Sequence, residues 1–293
     1  MSIDRMEPLV PIEALDTLAA GLDHPEGICV TPDGTVYVSG EAGQVYRLVD
    51  GGAVQVATTG GWTLGLAADG AGRIYACDPV RQAILRWTPE TDAIDVVSHG
   101  ADDAAFVTPN WGAFGPDGNF YVSDSGRWKQ RDGRILVIRP DGRTEPWTDA
   151  SVDFPNGLAI SPDARELWVL ESTPGRLVRF PIRPDGSAGA REVLVELPGT
   201  VPDGIAFASD GSVVIACYRP DAVLRWRHDL GVQILAHDPE GTALAAPTNC
   251  VFHGSQLDRI AVPNIGRWHV TGFRVDGLVG TPLFYPTVDH PAR

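Results

Sequence analysis

Short apolar runs recur along the whole chain, and turn sequences separate them. In the first such unit, Ile-Cys-Val at residues 28–30 precedes a Pro-Asp-Gly turn at 32–34, and Val-Tyr-Val follows at 36–38. Alternating apolar runs of this length, bounded by Pro and Gly, indicate β-strands joined by tight turns. No segment has a convincing helical spacing of apolar positions, and Gly and Pro are too frequent for long helices. The pattern predicts an all-β protein of short antiparallel strands.

One phrase opens each unit: a polar residue, a glycine, a short apolar run and a Pro-Asp turn. It is clearest at residues 24–34, 154–163 and 201–211, while residues 109–118 have tryptophan in place of the glycine and two weaker copies begin near 64 and 248. The opening positions form one column: Glu26, Leu64, Asn110, Asn156, Asp203 and Asn249. Their spacings of 38, 46, 46, 47 and 46 residues are typical of a repeat architecture.

Six units of four strands predict a six-bladed β-propeller. We expect residues 1–293 to form a single propeller domain, with an N-terminal strand near residues 12–18 closing the last blade. A β-sandwich gives no reason for six copies of one phrase, and a β-helix has shorter repeats.

The first strand of each propeller blade lines the central channel, so the column of opening residues should meet at the channel mouth. Carboxylates from Glu26 and Asp203 would converge there with the amides of Asn110, Asn156 and Asn249. Buried carboxylates are unfavourable without a cation or hydrogen-bond donors. Oxygen ligands favour a hard divalent cation, Ca²⁺ first, with Mg²⁺, Mn²⁺, Zn²⁺ or Fe²⁺ as alternatives. A water-filled polar funnel without metal is the competing interpretation.

A second column lies fifteen residues further along each unit, in turns that should return to the same face. The column and its polar neighbours are Glu41, Pro79, Ser125, Glu171, Tyr218, Asn264, Asp78, Asp124 and Arg219. These side chains would wall a pocket around the cation, or else they are solvated loop residues. The aspartates of the Pro-Asp and Ser-Asp turns belong to the opposite face, and we interpret them as turn formers.

The net charge and the cysteine content limit the binding partners and the cellular compartment that we expect for this chain. The 293 residues carry a net charge of −15 with scattered acidic residues, which disfavours nucleic acid and anionic membranes and leaves a small-molecule substrate. Four cysteines without a Cys-x-x-Cys pair predict buried free thiols in a reducing cytoplasm. We find no apolar signal segment in residues 1–11 and no membrane-spanning run. Oligomeric state is left open.

Taken together in this order, the phrases around Glu26, Asn110, Asn156, Asp203 and Asn249 resemble the senescence marker protein, gluconolactonase and luciferin-regenerating enzyme family. The resemblance covers about residues 24–284. It implies a metal site of Glu26, Asn156 and Asp203, with Asn110 holding a water or substrate oxygen. It also implies hydrolysis of a lactone or related ester.

Two departures affect the expected substrate. Sugar-lactone members often carry arginine where this chain has Thr108, and the bulky Trp111 follows Asn110. A pocket short of cations, with Trp62, Trp128 and Trp268 near its loops, favours a more apolar or aromatic substrate. The expected substrate-binding residues are Asn110, Trp111, Asn249, Glu171, Asp124, Tyr218, Arg219 and Asn264.

Two function classes follow. In a metal-dependent hydrolase, Asp203 would be the base and Asn110 would position the reacting oxygen, by donating to an oxyanion. The alternative is a non-hydrolytic lyase, isomerase or cyclase, or a binding scaffold for a hydrophobic metabolite. Gly-x-Ser-x-Gly is absent, which disfavours serine hydrolysis. His24, His253 and His269 could assist proton transfer or be structural.

Overall fold

The computed structural model describes residues 6–291. These residues form six four-stranded antiparallel sheets, and the prediction of an all-β six-bladed propeller is confirmed. Within 6–291 there is no α-helix, and a 3-10 helix lies at Ile12–Ala14. That part of the chain accordingly includes no helix long and apolar enough to cross a membrane.

Each blade runs outward from an inner strand at the channel. Blade one contains β2 Ile28–Val30, β3 Val36–Ser39, β4 Gln44–Val49 and β5 Gly52–Thr58, and blade two contains β6 Leu66–Ala68, β7 Ile74–Asp78, β8 Ala83–Thr88 and β9 Ala93–Ser98. A small hairpin follows, formed by β10 Gly100–Ala101 and β11 Ala104–Ala105. Blade three contains β12 Pro109–Phe114, β13 Phe120–Asp124, β14 Arg134–Ile138 and β15 Thr144–Thr148.

The remaining blades follow the same order, except at the outer edge of the last. Blade four contains β16 Pro155–Ile160, β17 Glu166–Glu171, β18 Arg176–Pro181 and β19 Glu192–Glu196. Blade five contains β20 Val201–Phe207, β21 Val213–Arg219, β22 Ala222–Arg227 and β23 Gly231–His237. Blade six contains β24 Val251–His253, β25 Arg259–Asn264 and β26 His269–Phe273, with β1 Asp16–Ala20 outermost.

Strand β1 joins the two ends of the propeller. It pairs antiparallel with β26, with Asp16 opposite Gly272 and Ala20 opposite His269. The pairing strand begins later than the expected 12–18 segment, because the chain makes a 3-10 turn directly after Pro11. The N-terminal strand thus becomes the outer strand of a blade whose other three strands come from the C-terminal part of the chain, which closes the ring.

In four of the six blades a glycine follows the opening residue and permits adjacent inner strands to approach closely. A methyl group at Gly157 would lie 2.2 Å from the backbone oxygen of Asp203, and one at Gly27 would lie 2.1 Å from that of Leu64. In blade three the bulky Trp111 takes this place and packs in a buried cluster with Tyr121. The recurring glycine therefore reflects blade packing around the channel.

The Pro-Asp and Ser-Asp turns lie at the end of the channel opposite the opening residues. There Asp33 and Asp210 each accept a hydrogen bond from the backbone N–H two residues later, at 3.0 Å, as expected for turn formers. The C-terminal segment crosses this end: Thr281 N–H bonds Phe207 O at 3.0 Å and the Tyr285 hydroxyl bonds Val30 O at 2.8 Å. An apolar cavity of about 110 Å³ lies between this segment and the inner strands.

The four cysteines are buried and free. Burial raises the pKa of each thiol, which disfavours the reactive thiolate. These side chains pack as small apolar groups.

Candidate metal and lactone site

In three blades the strand pairing is irregular at the opening residue. The registers of β12 with β13, β16 with β17 and β20 with β21 shift at Asn110, Asn156 and Asp203 respectively. A bulge adds a residue to one strand and redirects its side chain. The inner strands thus depart from simple alternation where the polar side chains are needed.

Four buried oxygen atoms at the channel end of these strands have no hydrogen-bond partner within residues 6–291. They are Glu26 Oε2, Asn110 Oδ1, Asn156 Oδ1 and Asp203 Oδ1. Their residues are only 4–7% exposed. Because unpartnered buried acceptors are unfavourable, four from one column indicate a site built for an external partner.

Serines that directly follow the second strands of blades three and four orient the two amides. Asn110 Nδ2 donates to Ser125 Oγ at 3.0 Å, and Ser125 Oγ donates to the backbone oxygen of Pro155 at 2.7 Å. One blade further, Asn156 Nδ2 donates to Ser172 Oγ at 3.2 Å, and that hydroxyl donates to Pro202 O at 2.6 Å. With Nδ2 held by serine, each amide leaves its oxygen available.

The two carboxylates have perturbed pKa values. Burial, and then the charge of Asp203, raise the pKa of Glu26 well above its usual range. Burial likewise raises the pKa of Asp203, opposed by a hydrogen bond from Asn156. Two carboxylates that disfavour each other's ionisation lie where a cation would compensate both charges.

This donor set fits a divalent cation. Two carboxylates and two amide oxygens, without nitrogen or sulfur, are ligands that hard cations prefer, and Ca²⁺ accepts them in flexible geometry. The serine hydrogen bonds correspond to the outer contacts that orient ligands in metal sites.

Asn249 occupies the sixth position of the column with a different orientation. Its Oδ1 accepts a hydrogen bond from the backbone N–H of Cys250 at 2.7 Å, which fixes the amide with Nδ2 on the other side. Nδ2 is buried without a partner among the residues described. Asn249 therefore offers a donor, whereas Asn110 offers an unpartnered acceptor. Because Asn110 Nδ2 already donates one hydrogen bond to Ser125, Asn249 is a second candidate for the oxyanion donor that was expected at Asn110.

Two expected substrate contacts, Glu171 and Asn264, use their hydrogen-bonding groups inside the protein. Glu171 accepts hydrogen bonds from Ser151 at 2.7 Å and Arg191 at 2.7 Å, and also from Arg176. Asn264 accepts from Ala245 N–H at 2.8 Å. Its Nδ2 donates to Val262 O and the Thr271 hydroxyl. We therefore assign both residues to holding the loops.

Asp124 also supports the site from behind. It accepts hydrogen bonds from the backbone N–H groups of Val107 and Thr108 and from Arg134. These contacts fix the segment that leads into Asn110.

The remaining expected contacts lie in different environments. Trp111 is buried in the core and lines the apolar cavity, away from the polar end of the channel. Tyr218 is 38% exposed with the Arg219 guanidinium 4.9 Å from its ring centroid, and Arg219 pairs with Asp221 at 3.2 Å. Tyr218 and Arg219 keep accessible surface for a ligand.

The three histidines also separate by environment. His24, two residues before Glu26, lies 2.7 Å from Asp23 and 3.1 Å from Glu41, with Trp268 against its ring. His269 contacts the backbone oxygen of Ala243 at 2.9 Å, a structural role. His253 ends β24 toward the Pro-Asp turns, far along the strand from the opening residue.

Sequence reasoning missed the functions of two serines and of one loop. The sequence pattern places Ser125 only in the pocket wall and gives Ser172 no role, although the serine follows the asparagine by fifteen or sixteen residues in both blades. The loop at 125–133 contributes the cations Lys129 and Arg131 to a mouth expected to be short of them. Their clustering in the sequence was the available signal.

The profile of the SMP-30/Gluconolactonase/LRE-like region matches residues 24–264. The chain belongs to this family. Among its relatives, the 6-deoxy-6-sulfogluconolactonase of Pseudomonas putida is 35% identical over 174 residues, 54% of this chain and 53% of the relative. The chain thus spans about half the length of this curated relative.

Solved structures of similar proteins show the same fold. A gluconolactonase from Xanthomonas campestris superposes with a TM-score of 0.75 at 22% identity, covering 89% of each chain. A calcium-binding regucalcin from Agrobacterium tumefaciens gives 0.76 at 18% identity, covering 97% of this chain and all of the other, 100%. At these identities the likeness concerns the fold.

Proposed function

We propose that this protein is a divalent-cation-dependent lactonase. The observation that carries the proposal is the set of unpartnered buried oxygens on Glu26, Asn110, Asn156 and Asp203. Family membership supports it, as do the names of relatives that are lactonases, including one for a sulfonated gluconolactone.

Glu26, Asn156 and Asp203 would hold the cation, with Asn110 Oδ1 beside them. Ca²⁺ is the first choice because every donor is oxygen and the carboxylates supply two negative charges. When bound, the cation would act as a Lewis acid that polarises the lactone carbonyl.

Asp203 is the proposed base. With one carboxylate oxygen on the cation, the other oxygen of Asp203 would be free to accept a proton from the attacking water. The water oxygen then bonds to the carbonyl carbon, the ring C–O bond breaks, and the leaving alkoxide takes up the proton. The product is a hydroxy acid.

Asn249 and Asn110 would make different hydrogen bonds to the reacting groups. Asn249 Nδ2 would donate to the oxyanion that develops on the carbonyl oxygen, an interaction worth about 3 kcal/mol in comparable sites. Asn110 Oδ1 would accept from the attacking water or from a substrate hydroxyl. Both assignments follow from which amide atom is unpartnered.

The test combines metal analysis of untagged protein with a pH-stat screen of sugar, alkyl and aryl lactones, before and after chelation. We expect one cation per chain, hydrolysis of at least one lactone, loss on chelation and recovery with Ca²⁺. Turnover that survives complete removal of metal would contradict the cation requirement. A cation without turnover of any lactone would favour the non-hydrolytic alternative.

Asp203→Asn separates the base from the ligand role. The variant keeps an oxygen at this position but removes the proton acceptor, so at saturating Ca²⁺ kcat should fall by roughly 10²–10⁴-fold. Near-normal turnover in this variant would restrict Asp203 to holding the cation.

A further inference from the structure

Lys129 is the only lysine in the 293 residues of this chain. It lies in the loop at 125–133, which joins β13 to β14 at the polar end of the channel. Its side chain is exposed, and its ammonium group lies 6.0 Å from the ring centroid of Trp128. None of the ion pairs within residues 6–291 involves Lys129. The ammonium is therefore available to an external anion.

The loop that carries Lys129 is well braced. The Asp132 carboxylate accepts hydrogen bonds from the backbone and the guanidinium of Arg127, both at 2.8 Å. Arg131 pairs with Asp153 at 2.6 Å. A fixed loop can hold a cation and an exposed ring in place without a large loss of entropy on binding.

The same loop adjoins the proposed lactone site. Its first residue, Ser125, contacts Asn110 directly and bonds the oxygen of Pro155. Trp128, which is 45% exposed, packs edge to face on Phe154 with ring centroids 4.8 Å apart. Phe154 stands two residues before Asn156, so the Trp128 ring packs on the segment that leads into the proposed site.

Charge distinguishes this side of the mouth. Five cationic side chains lie on this side of the mouth, and four of them form ion pairs with three carboxylates, which leaves Lys129 as the one of the five without an ion pair among the described residues. The cations are Arg127, Lys129, Arg131, Arg176 and Arg191, and the carboxylates are Asp132, Asp153 and Glu171. Blade one, across the ring, instead presents Asp23 and Glu41 around His24. Such asymmetry orients a charged ligand.

We propose that Lys129, with Arg131 and the face of Trp128, forms a subsite for an anionic group at the far end of the lactone substrate. The group would be a phosphate, sulfonate or carboxylate on the carbon remote from the ring carbonyl. Lys129 supplies an ammonium group without an ion pair. Arg131 supplies the guanidinium N–H groups that do not bond Asp153, and the Trp128 ring offers a surface on which the sugar carbons can pack. The inference rests on the proposed lactonase function and names its substrate class.

The test uses glucono-1,5-lactone and its 6-phosphate and 6-sulfonate derivatives, which differ only in the remote group. Wild-type protein should show a lower KM for the two anionic lactones, and the preference should diminish in 0.5 M NaCl. Lys129→Gln should raise KM for these two by roughly tenfold, equivalent to about 1.4 kcal/mol, with kcat and the neutral lactone unaffected. Lys129→Arg should retain the preference.

Arg143→Gln provides the matched control. Arg143 carries the same charge, is comparably exposed at 66%, and lies in the same blade near the opposite end of the channel. It should leave all KM values unchanged. The subsite is overturned if wild type shows no preference, if Lys129→Gln affects neutral and anionic lactones alike, or if Arg143→Gln reproduces its effect.

A binding measurement keeps this inference separate from the proposed function. If none of the three lactones is hydrolysed, the lactonase proposal fails, and calorimetry with 6-phosphogluconate and gluconate still tests the subsite. Tighter binding of the phosphorylated acid that Lys129→Gln abolishes supports an anion subsite. Equal binding of the two acids rejects it. The sulfonate and phosphate arms show which anion the subsite prefers.

Discussion

Ser172 accepts a hydrogen bond from the Asn156 side chain at 3.2 Å and donates one to the backbone oxygen of Pro202 at 2.6 Å. Pro202 directly precedes Asp203, so one hydroxyl connects two proposed metal ligands on neighbouring blades. Ser125 makes the equivalent link between Asn110 and Pro155. The ligand oxygens are thus oriented by a repeated contact between blades.

Removing this hydroxyl should weaken the cation site. Ser172→Ala frees the Asn156 amide to rotate, and comparable losses of orienting contacts reduce metal affinity by about 10–100-fold. Calcium titration by calorimetry measures the effect. Ser187→Ala, which removes an exposed turn hydroxyl from the same blade, should bind calcium as wild type does. An unchanged affinity in Ser172→Ala would show that Asn156 needs no such support.

Calcium affinity should increase with pH. The pKa values of Glu26 and Asp203 are raised, chiefly by burial, so a cation that binds both must displace a proton at lower pH. Affinity should change by roughly tenfold per pH unit for each proton displaced. Titrations at pH 5.5, 6.5 and 7.5 in two buffers of different ionisation enthalpy would count those protons.

The same shifts have the opposite sign in unfolding experiments without added calcium. A carboxyl with a raised folded-state pKa stabilises the fold in its protonated form, so this contribution is lost as pH rises through that pKa. Saturating calcium should abolish the loss. Affinity that is independent of pH over this range would contradict the proton displacement.

The two amides at the mouth should respond differently to the same chemical change. Asn249→Asp replaces the unpartnered donor by an acceptor, and at saturating calcium kcat should fall by about 100-fold or more. Asn110→Asp preserves an acceptor oxygen and should have a much smaller effect on kcat. Steady-state kinetics on one lactone decide between them, and a reversal of the two effects would return the donor role to Asn110.

Gly157 should be intolerant of a side chain. A methyl group would meet the Asp203 backbone oxygen at 2.2 Å, so Gly157→Ala must separate two blades at the site. Overpacking of this kind destabilises by about 1–3 kcal/mol, and we also expect weaker calcium binding. Gly52→Ala is the control because nothing lies within 4 Å of its added methyl group. Chemical denaturation measures both, and equal stabilities would refute the close-approach argument.

Glu171 should matter for stability and not for turnover. Burial opposes its ionisation, but hydrogen bonds from Arg191, Ser151 and Arg176 outweigh burial and lower its pKa. Its contribution is therefore present above the usual glutamate pKa and is lost as pH falls through the lower folded-state value.

Replacing Glu171 leaves Arg191 without its carboxylate and leaves Arg176 with Asp153, at 2.8 Å, as its remaining partner. Glu171→Gln should destabilise by about 3 kcal/mol at pH 7, and the difference from wild type should shrink in acid. Glu192→Gln serves as control, since its side chain is 57% exposed and its ion pair with Arg179 contributes little. If Glu171→Gln kept its stability but lost substrate affinity, the earlier substrate-binding assignment would be restored.

The repeat is visible in the sequence because every blade packs in the same way against its neighbours and therefore needs the same residue types at the same positions. Gly27 and Gly157 recur for the approach of inner strands, and the Pro-Asp turns recur for reversal, so blade number and channel-facing column were predictable. Amide orientation was not, because whether Asn110 and Asn249 present oxygen or nitrogen depends on Ser125 and on the backbone of Cys250.

The pocket wall was predicted less well for a related reason. Their positions in the repeat place Glu171 and Asn264 at the correct end of the channel. Their hydrogen-bond partners, Arg191 and Ala245, come from other loops, and the repeat does not predict those contacts. Trp111 was misplaced because the inner strand is irregular at Asn110, which changes the direction of the following side chain.

The C-terminal segment that crosses the Pro-Asp-turn end of the channel affects how a ligand can enter and leave the propeller. Thr281 and Tyr285 are tied to blades five and one, and Gly70 of blade two bonds the oxygen of Pro286 at 2.8 Å. Because this segment lies across the turn end, we expect a ligand to enter and leave by the mouth near Glu26. If the protein hydrolyses a lactone as proposed, the hydroxy acid would have to leave through the channel mouth before the next lactone could enter. Product release and substrate entry would then use the same opening.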